Sequence, residues 1–188
     1  GALKPDDLAR ARENLRRHTW ARAHLTSLER TARGAVGQLT PDYLAAMIPE
    51  TTPGDPKFTP CPACRDQGKP VHPHGLWSWS ARAPDRLVCD VCRTTFPHER
   101  YPEDVIVRST WGRPQTFTYC GGEPFVIFGY KQGRPSFSAN LRARKVAYMA
   151  GLARTLGEAH LLTGRPEYAR GARAILLRFA AVYPYWLV

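Results

Sequence analysis

Apolar residues recur at helical spacing near both ends of this chain and lose that rhythm in the middle. Leu8, Ala11, Leu15, Ala21, Leu25 and Leu28 follow a period of three to four, which predicts an amphipathic helix. Pro5 suits its first turn, and Asp6 and Asp7 favour the positive end of its dipole. The period slips at His18 and Thr19, which predicts a bend, and Gly34 and Gly37 end the segment. Thr40-Pro41 opens a short second helix through Leu44 and Met47, stopped before Pro49. From about Ser138 the signal returns. Leu141, Lys145, Met149, Leu152, Leu156 and Ala159 trace one face, and Leu161-Leu162-Thr163-Gly164 closes it. Pro166 starts a further helix whose stripe is Tyr168, Ala172, Ile175, Phe179 and Tyr183. The short Gly-Arg connector predicts an antiparallel helix hairpin. Gly151 and Gly157 inside the first of these helices predict close approach of a neighbouring helix.

The middle of the chain reads differently. "PETTPGDPKFTP" is a proline-rich connector, and a cysteine-rich insert follows to about Asp104. "VIVRSTWGRPQTFTYCGGEPFVIFGYKQGRPSF" is rich in glycine, proline and aromatics; it reads as extended loops with short strands. The expected organisation is residues 1–56 as N-terminal helices, 57–104 as the insert, 105–137 as an extended region and 138–188 as the helix hairpin. The fold class expected is mainly α with a small β insert. The chain closes on apolar, aromatic "AVYPYWLV", which raises the expectation that it is one part of a longer protein.

The insert holds the most specific chemistry. Two C-x-x-C pairs, Cys61/Cys64 and Cys89/Cys92, are separated by 24 residues. Each pair can place two thiolates on one ion, and together they complete a tetrahedron, which predicts a structural Zn2+. A disulfide framework, a redox pair and a mixed site using His72 or His74 are the alternatives. Redox pairs of this type sit at a strand–helix junction that is missing from the pattern here. His72 and His74 alternate with prolines and read as an exposed loop. Cys120 is left over as a free thiol. Trp77 and Trp79 read as packing against the knuckles, with sugar stacking as the alternative.

Charge narrows the partner. The chain carries a formal net charge of +11, mostly from arginine, which points to an anionic partner or to well-solvated helix faces. Residues 1–33 hold 8 basic and 4 acidic side chains, residues 138–188 hold 8 and 2, and residues 57–104 hold 7 and 6. The excess therefore belongs to the helical segments. A nucleic-acid-binding zinc ribbon would concentrate it in the insert, so the distribution of charge argues against nucleic acid as the partner. No run of about 18 apolar residues offers a membrane span, so no membrane association is expected.

"PDDLARARENLRRHTWARAHLTSLERTA" resembles the opening helix of the heparinase II/III-like polysaccharide lyases. "ARKVAYMAGLARTLGEAHLLTGRPEYARGARAILLRFAAVYP" resembles their toroid hairpin. The paired C-x-x-C motif followed by Phe96-Pro97 resembles an insert carried by some relatives. The resemblance covers most of the chain and rests on the order of the three features. It implies a partial (α/α) toroid with a zinc-ribbon-like insert, continued in a longer protein by further helices and β domains. The implied activity is cleavage of uronic-acid polysaccharide by β-elimination. The reacting groups of the family lie mostly on later elements, so the catalytic residues here are unknown. Tyr130, Lys131, Arg134 and Asn140 are the candidate substrate-binding residues, because Arg and Lys suit carboxylate or sulfate groups. Tyr119 and Tyr130 are the candidates for proton transfer, with packing as the plainer role. His160 reads as a packed or surface histidine. A non-catalytic carbohydrate-binding scaffold is the alternative function.

Overall fold

The computed structural model describes residues 4–54, 58–110, 112–127, 129 and 131–186. Among these residues it is mainly α, with three small antiparallel sheets. The chain forms two compact units. One comprises Gly1–Ala46 with Met149–Ala181, and the other Met47–Tyr148 with Val182–Val188.

The first unit is helical. Helices α1 (Pro5–Arg17) and α2 (Thr19–Val36) replace the single bent helix expected, because His18 is extended (φ −118°, ψ 134°). The short α3 (Pro41–Met47) follows. Ala21, Leu28, Ala32 and Ala35 form the buried stripe of α2. The second part of α5 (Phe137–Thr163) and α6 (Pro166–Val182) complete the unit. Met149, Leu152, Leu156 and Ala159 are buried on α5, as are Tyr168, Ala172 and Ile175 on α6, all as their period predicts. Tyr183 departs from that pattern: Pro184 converts the end of α6 into a 3-10 turn, Tyr183–Tyr185, and the Tyr183 ring is exposed.

Gly151 and Gly157 also depart from expectation. A methyl group at either would meet nothing within 4 Å, so neither marks a close helix approach. Gly171 does, since a methyl there would lie 3.1 Å from Leu39 and 3.2 Å from Leu156. The loop between α5 and α6 is closed by His160, whose Nδ1 lies 2.9 Å from the Arg165 carbonyl. His160 therefore has a local structural role.

The second unit is built on short elements. The helical turn α4 (Pro62–Asp66) precedes a three-stranded sheet of β1 (Trp77–Trp79), β2 (Leu87–Cys89) and β3 (Thr95–Phe96). Trp77 pairs with Cys89, and Leu87 with Phe96. The stretch expected as extended loops contains two hairpins, β4 (Val105–Arg108) with β5 (Thr116–Tyr119), and β6 (Phe125–Ile127) with β7 (Lys131–Gly133). The first part of α5 belongs to this unit. Ser136 caps that helix by accepting from the Ala139 amide at 3.2 Å. Phe137, its first residue, is buried against the sheet. Its ring stacks on Phe96 at 4.1 Å and meets the edge of Trp77 at 5.4 Å.

Candidate metal centre

Two turns from different parts of the second unit present the cysteines. Cys61 is the N-cap of α4, with Pro62 in its first turn, so Cys64 falls one helical turn later. The turn is closed where the Lys69 amide donates to the Cys64 carbonyl at 2.8 Å. Cys89 ends β2 and Cys92 follows in a tight turn, where the Arg93 amide donates to the Cys89 carbonyl and the Cys89 amide to the Thr94 carbonyl, both at 2.9 Å. Reversal there requires a left-handed residue, and Arg93 supplies it at φ 65°.

The four sulfurs converge. All lie within 4.8 Å of one another, with Cys61 and Cys92 at 3.7 Å and Cys64 and Cys89 at 3.5 Å. None is in a disulfide. A tetrahedral ion with metal–sulfur bonds of about 2.3 Å sets sulfur–sulfur edges of about 3.8 Å, so these donors fit such an ion with little movement. Among the described residues this is the one group of three or more candidate ligands brought together. His72 and His74 are not part of it. They lie beside each other on their loop, ring centres 5.6 Å apart, with His74 against Phe58.

Burial and hydrogen bonding act differently on Cys61, Cys64 and Cys92. Cys61, Cys64 and Cys89 are buried and Cys92 is partly exposed. Burial pushes the Cys64 thiol up to about 12 and Cys61 higher still, so without a cation both stay protonated. Burial pushes Cys92 the same way, but hydrogen bonding with the side chain and backbone of Thr94 outweighs it and holds Cys92 at about 7. The Cys92–Thr94 side-chain distance is 3.2 Å. Four sulfurs bound to one cation leave no open coordination position, which suits a structural centre and not a catalytic one.

The centre is part of a core, not an appendage. Cys61, Cys64 and Cys89 pack in one cluster with Ala63, Trp77, Leu87, Phe96, Phe137 and Leu141, and Trp79, Val91 and Tyr101 border it. The Trp77 indole N–H donates to the Thr59 carbonyl at 2.9 Å. The Trp79 indole N–H donates to the Pro84 carbonyl at 3.0 Å, and its ring meets the edge of Tyr148. Both tryptophans have packing roles.

The candidate substrate residues are not gathered into one cluster. Tyr130 lies outside the described residues, and for Lys131 only its place at the start of β7 is described. Asn140 is fully buried, donating to the Thr59 hydroxyl at 3.2 Å and accepting from Arg144 at 2.7 Å. Arg134 is half-buried and donates through one nitrogen to the carbonyls of Cys120 and Gly122. Cys120, the remaining thiol, is buried in the same core as the four-cysteine cluster but not among the converging sulfurs. Burial, with Glu103 and Asp104 adding to it, pushes Cys120 up to about 12.

Several supporting residues have no sequence motif. Thr94 tunes Cys92, and Thr59 links Trp77 to Asn140. Glu103 accepts from the Phe137 and Ser138 amides and from the Thr118 hydroxyl, so one carboxylate anchors the start of α5 to β5. The only advance signal for these is their proximity to the cysteines or to a helix start. No protein-family model matches this chain, and no curated protein and no solved structure matches it.

Proposed function

We propose that the four cysteines bind one structural zinc ion, and that the chain serves as the N-terminal portion of a lyase-like enzyme acting on uronic-acid polysaccharide. The observation that carries the metal half is the convergence of four sulfurs with edges of 3.5 and 3.7 Å. A tetrahedral sulfur set suits zinc or iron; zinc needs no redox partner and is the common occupant of paired C-x-x-C knuckles. The zinc-ribbon-like insert then has a defined task, to fix the turns that pack against the first residues of α5.

The lyase half is supported by the order of sequence features and by the helical character of the first unit. The basic excess on the helical segments adds to that support. In this reading the helices are the opening part of an (α/α) toroid. β-Elimination at a uronate needs a group that neutralises the carboxylate, a base for the C5 proton and an acid for the leaving oxygen. Further parts of a longer protein supply most of these groups, and this chain supplies scaffold and cationic surface. The test is absorbance of unsaturated uronate on a panel of acidic polysaccharides, comparing these 188 residues with a longer protein that contains them. Turnover by the longer protein alone is expected. Turnover by the 188 residues would place the reacting groups within them. No turnover by the longer protein would overturn the lyase reading in favour of a binding scaffold.

A further inference from the structure

Pairing in the β4–β5 hairpin sets Val105 opposite Tyr119 and Val107 opposite Phe117. Residues two apart in a strand share a face, so these four lie on one side of the hairpin. A groove of about 340 Å³ opens along that side, lined by Val105, Val107, Tyr119, Pro124, Gly133 and Arg134. The volume is in the range of small-ligand sites, and among the described residues no acidic side chain lines it.

One guanidinium lines this groove, and a second, not among its lining residues, packs on Phe117 of the same hairpin. Arg134 lines the groove and donates through Nη1 to the carbonyls of Cys120 and Gly122, which fix its guanidinium. Arg142 lies over the Phe117 ring, 6.0 Å from its centre, and donates through Nε to the Thr52 carbonyl at 3.0 Å. Its Nη2 is buried and has no hydrogen-bond partner among the described residues. Burial lowers the Arg142 pKa, and Glu103 and Tyr119 oppose that effect. The Glu103 carboxylate is engaged at the start of α5.

We infer that this groove binds a single carboxylate-bearing sugar ring, with Arg134 taking the carboxylate, Tyr119 a ring hydroxyl, and Val105 and Val107 the apolar face of the ring. The inference rests on the acidic-polysaccharide reading and adds a place for one sugar unit. A pyranose ring offers an apolar face and a hydroxyl edge, and a uronate adds one planar anion. The groove matches each in turn: an apolar floor, a phenol and a fixed guanidinium.

Calorimetry of the zinc-containing chain with galacturonan, alginate and glucuronan tetrasaccharides tests this, each beside its carboxyl-reduced counterpart. At least one acidic tetrasaccharide should bind, and its reduced form should bind about tenfold or more weakly. Arg134→Gln should weaken the acidic ligand by a similar factor. Because Arg134 also braces a loop, Val107→Glu is the second variant. Val107 is 47% exposed, so a charge there leaves the core intact while repelling a carboxylate. Equal binding of the reduced form, or acidic binding unchanged in both variants, would overturn the groove assignment. So would the absence of binding by the wild type. Turnover by the longer protein decides the lyase reading separately: activity that survives Val107→Glu would keep that reading and remove the groove.

Discussion

At Gly75 the backbone adopts φ 66°, and a methyl group there would sit 1.9 Å from the Trp77 indole nitrogen and 2.2 Å from the Thr59 carbonyl. Gly75→Ala therefore forces left-handed strain and breaks the Trp77–Thr59 hydrogen bond at once. Its cost should exceed the roughly 1–2 kcal/mol of left-handed strain alone. Gly68→Ala isolates that strain, because Gly68 has φ 62° but open space around it. Thermal unfolding should rank Gly75→Ala well below Gly68→Ala; equal losses would show that the close contact is unimportant. Arg93 presents the opposite case. It holds φ 65° with a side chain, so Arg93→Gly should raise the melting temperature, with a gain of about 1 kcal/mol. A lower melting temperature would mean that its exposed ion pair with Asp90 outweighs the strain. The four converging cysteines were legible from spacing alone. Gly75, Arg93 and Thr94 were not, because their roles depend on the path of a turn, which no short pattern encodes.

Helices declared themselves through period and stop signals, and α5 and α6 bury most of the stripes expected of them, with Tyr183 exposed. Strands β4 to β7 were legible only as an extended region. Each has three or four residues, too few to establish alternation, and their partners are set by the hairpins. The Glu103 cap was likewise invisible, since it reaches the start of α5 across more than thirty residues of sequence. Glu103→Ala should cost about 1–2 kcal/mol through loss of that cap. The check is chemical denaturation, with the loss concentrated at the start of α5 in hydrogen exchange. A loss spread evenly would argue against a capping role.

In the helical unit, Glu29 meets Arg33 at 3.2 Å, Tyr168 at 3.3 Å and Arg165 at 3.5 Å. Burial works to raise the Glu29 pKa, but the hydrogen bond and charge of Arg33, with Arg165 and Tyr168, outweigh it and lower it. A lowered folded pKa stabilises the fold above the usual carboxylate pKa, and that contribution is lost as pH falls through the folded value. The helical unit should therefore weaken on acidification from pH 5 to pH 3, and Glu29→Gln should flatten that dependence. An unchanged profile in the variant would remove Glu29 from the explanation.

Across the whole molecule, the four-cysteine cluster and the basic excess belong to different parts of the sequence. The insert is nearly neutral while the helical segments carry the basic excess. No described helix is long and apolar enough to cross a membrane. Structural zinc binding contributes about 10–16 kcal/mol at neutral pH, comparable with the whole stability of a typical domain, about 5–15 kcal/mol. Chelation should therefore unfold the second unit, with hydrogen-exchange protection lost over residues 58–148 and retained in the helices at 149–181. Uniform loss over both would show one cooperative body. Cys64→Ser should reproduce the chelated pattern, whereas Cys120→Ser should leave metal content unchanged.

The metal assignment is met most directly by elemental analysis and X-ray absorption on protein purified without added metal. The account predicts about one zinc per chain, with four sulfur neighbours at about 2.3 Å and no nitrogen or oxygen ligand. Iron in place of zinc, an imidazole in the coordination shell, or a metal-free protein with its cysteines in disulfides would contradict it.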